Sequence, residues 1–124
     1  MSKILIAEDE VLMLKALEFK LKKDGYQIDV AADGRQAMEK VKSNTYDLIL
    51  TDIMMPFVGG MEILSYIKND PVKKITPVIL LSAVGLENIV LEGFALGAED
   101  FVYKPFNLNE LSVRIKRYIK QNVF

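Results

Sequence analysis

Five short apolar runs alternate along this chain with five stretches of helical spacing, and that alternation constrains the fold more than any other feature. The runs occupy residues 3–7, 26–32, 48–52, 77–81 and 101–103, and the helical stretches follow at 10–23, 34–43, 61–69, 86–96 and from Leu108 onwards. A strand returning to pair in parallel with its neighbour needs a crossover of about helical length, and such crossovers are right-handed. The expected fold is therefore α/β, a doubly wound parallel sheet with helices on both faces, as a single domain over residues 1–124.

The third run is the most informative. Leu48, Ile49 and Leu50 lead through Thr51 into a lone acid, Asp52, and Pro56 stops any regular continuation. Such a run reads as a buried parallel strand, with Asp52 at the carboxyl end, where open α/β sheets place their ligands. An acid there costs free energy unless a cation, a hydrogen-bond partner or chemistry compensates. Its partners should stand at the ends of the other strands.

Helical stripes are expected from Met13, Leu14, Leu17 and Leu21, from Ala37, Met38 and Val41, and from Leu108, Leu111, Ile115 and Ile119. Asp24-Gly25 closes the first helix, and Asn107 caps the last, with Glu110 three residues on in a near capping box. Gly59-Gly60 reads as a flexible loop. The fourth helix is expected to be weak, because Ile89 and Val90 are β-branched and Gly93 costs about 1 kcal/mol relative to alanine.

Composition closes several routes. With neither cysteine nor histidine among 124 residues, the chain has no disulfide, thiol nucleophile or thiolate site, and lacks the commonest general base. Any divalent ion must be held by oxygen. Sixteen basic and 17 acidic residues argue against a dedicated nucleic-acid or membrane surface. The basic residues Arg114, Lys116, Arg117 and Lys120 read instead as complements to the negative end of a helix. No signal peptide is legible, and the apolar stretch 77–86 is too short to span a bilayer, so a cytoplasmic location is the default expectation.

The strand ends carry a constellation. Glu8 and Asp9 follow the first strand, Asp52 ends the third, Ser82 the fourth, and Lys104 follows the fifth. Two carboxylates about 4 Å apart repel by roughly 4 kcal/mol at an effective dielectric near 20, so the cluster calls for a cation. Oxygen ligands with room for water suit Mg²⁺.

These residues resemble the receiver domains of bacterial two-component response regulators, including those of chemotaxis. The matching pieces are Ala7-Glu8-Asp9-Glu10, Thr51 to Pro56, Gly60, Leu81-Ser82-Ala83, Gly97 to Phe101 and Lys104-Pro105-Phe106, covering essentially the whole chain in order. The resemblance implies a flavodoxin-like topology with strand order 2-1-3-4-5 and five helices. It implies that Asp52 accepts a phosphoryl group from a phosphohistidine supplied in trans by a sensor histidine kinase or phosphotransfer protein. Asp9 would ligate Mg²⁺, with Glu8 holding a water on it, Asp52 giving an oxygen and Met54 its backbone carbonyl. Lys104 and Ser82 would contact the phosphoryl oxygens, Phe101 would be the aromatic that swings inward as Ser82 moves, and the Lys104-Pro105 bond would be cis. The state would be read by a downstream protein or output domain on the surface formed by the fourth and fifth helices and the strand between them, with the chain monomeric or dimerising on phosphorylation. Its chemistry would be on itself, not a turnover activity.

The chain departs from the family pattern mildly. Glu8 is one methylene longer than the commoner aspartate, and Phe101 lacks the hydroxyl of tyrosine. Met54 and Val84, each two residues after Asp52 and Ser82, are apolar where the family tunes access of water, which implies slow dephosphorylation.

Each residue alone has an ordinary reading: acids at a helix start, a turn acid, a loop hydroxyl, a surface lysine, a packed aromatic. Those readings must all hold together at the ends of four strands. Three rivals remain distinct. A phosphatase using an aspartyl-phosphate would carry a second acid where Met54 stands, and a flavin domain would not place Glu8-Asp9-Glu10 where phosphate binds. A docking module that is never phosphorylated would not need Asp9, Asp52, Ser82 and Lys104 together. Met1 reads as a natural start, whereas Phe124 follows the last helix so closely that an output domain beyond it is left open.

Overall fold

Residue parity along the strands sets the layers, since alternate side chains face opposite sides of a sheet. The computed structural model describes residues 1–83 and 87–119. In chain order it contains β1 (Lys3–Ala7), α1 (Val11–Lys23), β2 (Gln27–Ala31), α2 (Gly34–Ser43), β3 (Leu48–Asp52), α3 (Gly60–Asn69), β4 (Val78–Ser82), α4 (Glu87–Leu96), β5 (Asp100–Tyr103) and α5 (Leu108–Ile119). The sheet order is β2-β1-β3-β4-β5, and every pairing is parallel. Among the described residues this is the expected doubly wound topology. Val84, Leu86, Lys120 and Phe124 lie outside them, so the helix start expected at Leu86 and the role expected of Val84 rest on the sequence alone.

Every residue of β3 and β4 is buried, as the uninterrupted apolar runs require of central strands. Leu5, Ile49, Val78, Leu80 and Phe101 face one core with Ala37, Val41, Ile63 and Leu64 of α2 and α3 and Val90 of α4. Ile4, Ile6, Leu50, Ile79 and Leu81 face the other, with Leu14, Leu17 and Leu21 of α1 and Leu111, Ile115 and Ile119 of α5. Burying each such side chain contributes about 1.5–3 kcal/mol. β2, at the edge, is mostly half-buried.

Local chemistry explains the ends. Asp33 Oδ1 accepts from Gln36 N at 2.8 Å, capping α2. Gly25 takes the left-handed conformation (φ 101°) that lets the chain leave α1. Asn107 Oδ1 accepts from Asn109 N and Glu110 N at 2.8 and 3.1 Å, capping α5 as expected. The Glu110 carboxylate does not complete a capping box but meets Arg114 at 3.2 Å, one helical turn on. Gly60 is not loop: it is the buried first residue of α3, donating to Ile53 O at 2.8 Å. A single 3-10 turn at Lys73–Ile75, unforeseen in the sequence, precedes β4. Among the described residues, no helix is long and apolar enough to cross a membrane.

Candidate functional site

From β1 the chain crosses to β2 on one side and later to β3 on the other, which opens a crevice at their carboxyl ends. Ladder bonds continue past the strands there. Glu8 N donates to Ala31 O at 3.1 Å, Ile53 N to Leu81 O at 3.0 Å, and Lys104 N to Ser82 O at 2.8 Å. Backbone pairing therefore delivers Glu8, Asp52, Ser82 and Lys104 to one edge of the sheet.

Carboxylate oxygens of Glu8, Asp9 and Asp52 lie within 4.8 Å of one another. Glu8 is fully buried, Asp52 is 7% exposed, and Asp9 stands in the open. Among the described residues one ammonium reaches two of these acids. Lys104 Nζ donates to Asp52 Oδ2 at 2.9 Å and lies 2.7 Å from Glu8 Oε1. That second contact is an ion pair with a buried carboxylate, whose other oxygen accepts from Glu10 N at 3.1 Å. Burial of Lys104 works against its charge, but the contacts with Glu8 and Asp52 outweigh it and raise its pKa. The cluster is thus under-neutralised, with three carboxylates and a single ammonium in contact with them among the described residues. Such a donor set fits a hard divalent cation such as Mg²⁺.

The other expected residues stand nearby with different partners. The Ser82 hydroxyl is buried and donates to Ala83 O at 3.0 Å. Phe101 is buried at 7% exposure, its ring against Phe94. The Lys104-Pro105 peptide is cis. Met54 projects its side chain into solvent at 65% exposure.

These features match known proteins over nearly the full chain. The model of the response regulator receiver domain family fits residues 4–116. The chain belongs to that family. Response regulator ArlR of Staphylococcus saprophyticus is 38% identical over 121 residues, covering 98% of this chain and 54% of ArlR. Transcriptional regulatory protein ResD of Bacillus subtilis is 38% identical over 120 residues, 97% of this chain and 49% of ResD. The receiver thus spans about half the length of the curated relatives it matches. Among solved structures, response regulator TrrA of Thermotoga maritima, in complex with Mg²⁺-BeF, superposes with a TM-score of 0.83 at 36% identity, over 95% of this chain and 99% of TrrA. This chain is accordingly a receiver domain of the two-component response-regulator family.

Two glycines that shape the receiver's site carry roles the sequence alone did not disclose. A Cβ on Gly34 would overlap the Val58 carbonyl, and one on Gly60 would overlap the carbonyl of Asp52 itself. The amino ends of α2 and α3 therefore press directly on the segment after β3. Gly34 N bonds Pro56 O at 3.2 Å, and Arg35 stacks on Phe57 at 3.9 Å, holding Phe57 at a left-handed φ of 73°. A non-glycine residue there is uncommon and persists only when its surroundings enforce it. The only sequence signal was a glycine at the first position of each helix.

Proposed function

We propose that Asp52 is the phosphoacceptor of a Mg²⁺-dependent switch. The observation that carries this reading is the convergence of Asp52 with Glu8, Asp9 and one lysine in a cluster short of positive charge. The Mg²⁺-BeF complex of TrrA, a relative at 36% identity, supports the same chemistry here. Asp9, Asp52, the Met54 carbonyl and, through water, Glu8 would hold the ion. Bound there, it would supply positive charge against the oxygens of an incoming phosphoryl group.

The chain's own residues do the rest. An Asp52 carboxylate oxygen attacks phosphorus, its O–P bond forms as the donor's N–P bond breaks, and the donor histidine leaves as neutral imidazole after taking a proton. Lys104, already at hydrogen-bond distance from Asp52, shifts its ammonium to a phosphoryl oxygen. Ser82 must give up the Ala83 carbonyl to donate to another. That movement is coupled to the ring of Phe101. The readout is the face of α4, β5 and α5, where Leu91, Phe94, Tyr103 and Val113 are exposed to a partner, an output domain or a second copy. The phosphoryl group comes from outside this receiver, which has no histidine, from a histidine kinase, a phosphotransfer protein or a small phosphodonor. The receiver promotes changes on itself and turns over no substrate.

Intact mass after incubation with Mg²⁺ and acetyl phosphate, beside Asp52→Asn, tests the proposal. One phosphoryl adduct that requires Mg²⁺ and vanishes in Asp52→Asn is the expected result. An adduct that survives the substitution would name another nucleophile. No adduct, even from a phosphohistidine kinase, would leave a docking module. The apolar Met54 beside the acceptor implies slow loss of the phosphoryl group, and a lifetime of seconds would overturn that part.

A further inference from the structure

Gly93 is buried in the middle of α4, where glycine weakens a helix relative to alanine. Space, not propensity, accounts for it. A Cβ at this position would stand 2.5 Å from Cζ and 3.1 Å from Cε2 of Phe101, and 3.1 Å from Cδ1 of Leu80. Leu80 belongs to the fully buried β4 and pairs in register with Phe101, so it has little room to retreat. The tip of the Phe101 ring is the part that can yield. The ring also meets Phe94 at 4.8 Å between centroids, tilted by 58°. Phe94 is itself 48% exposed, on the face proposed for the partner.

We propose that Gly93 is a positioning residue whose missing side chain forms the socket for the inward ring of Phe101. The depth of that socket sets how readily the ring occupies its inner position, and so how tightly the receiver holds a phosphoryl group. This rests on the reading of Phe101 as coupled to Ser82. A Cβ in the socket disfavours the inner position, and by linkage any ligand that needs that position binds more weakly.

The test is a double-mutant cycle of Gly93→Ala and Phe101→Leu on the full chain, with two readouts. In urea unfolding, Gly93→Ala should lower stability when Phe101 is present and lower it much less in the Phe101→Leu background, where the overlap with the ring is gone and only the 3.1 Å contact with Leu80 remains. In titrations with beryllofluoride and Mg²⁺, Gly93→Ala should weaken binding about fivefold with Phe101 present, and not at all beside Phe101→Leu. Equal stability effects in both backgrounds would overturn the socket. Unchanged beryllofluoride binding in Gly93→Ala, with the wild type binding normally, would overturn its link to the phosphoryl group. A wild type that takes up no beryllofluoride would instead defeat the phosphoacceptor reading and the link with it, while the stability cycle still decides the socket.

Discussion

At the amino edge of the sheet Lys68 Nζ donates to the Lys74 and Thr76 carbonyls at 3.1 and 2.8 Å and to Glu99 Oε2 at 2.9 Å, whereas at the carboxyl edge Lys104 meets Glu8 and Asp52 within a cluster of three carboxylates. The other Glu99 oxygen accepts from Val78 N at 2.7 Å, so neither oxygen of that acid is idle. Beside it the Tyr46 hydroxyl donates to Asp29 at 2.7 Å, and Asp47 accepts from Lys3 N at 2.7 Å. At the other edge Lys104 holds Glu8 and Asp52, and among the described residues no second ammonium contacts the three acids. The two edges share strands and solvent, yet one closes its charges within the chain and the other leaves them open. Charge that only fastens helices to strands can be fully satisfied by the fold. Charge meant for a cation and a phosphoryl group cannot, because those groups must find vacant oxygens.

Substitutions at each edge should therefore have different signatures. The largest effect is expected from Asp52→Asn, which should abolish the phosphoryl adduct in intact mass while leaving the fold cooperative in urea; retained labelling would erase the distinction between the edges. Next, Mg²⁺ at a hundredfold excess over its Kd should stabilise the wild type by about 2.7 kcal/mol in chemical unfolding. Asp9→Asn should remove most of that gain, and an equal gain in the variant would place the ion away from the acids.

At the closed edge, Lys68→Ala should cost about 2 kcal/mol, because it strands the part-buried Glu99 and two carbonyls. Phosphoryl uptake should be unchanged; a stable variant with impaired labelling would reverse the assignment of the two edges. The smallest effect is expected from Tyr46→Phe, about 1.5 kcal/mol for one hydrogen bond to a charged acceptor. It also carries a pH signature. Burial, then the hydrogen bond to Asp29 and its charge, push the Tyr46 pKa up. A raised pKa means the contribution is complete below the unfolded tyrosine value of about 10 and is lost as pH rises from there. Tyr46→Phe should flatten that alkaline loss of stability, and an unchanged slope would show that another group causes it.

Much of this was legible in the chain because it is local. The acid after β1, the acid ending β3, the hydroxyl ending β4 and the lysine after β5 are covalently adjacent to their strands, so a correct strand assignment carries each to the same edge. The core faces follow from parity in the same way. Gly60 was misread as loop because a glycine beside another glycine looks like punctuation, whereas here it removes a side chain that the Asp52 carbonyl would strike. Gly93 looked like a flaw in α4 because helix propensity sees only the helix, while the reason lies on β5.

Periods of 2 and 3.6 and adjacency to strand ends are properties of short segments, so the α/β class, the buried central strands and the chemical groups that reach the carboxyl edge all follow from the order of the residues. Which groups pair once there is a matter of the packed fold. It joined Lys68 to Glu99 across 31 residues and Lys104 to Asp52 across 52, turned Ser82 to a carbonyl, and seated Phe101 against Gly93. Those contacts depend on how several elements pack at once, and no single segment holds that information.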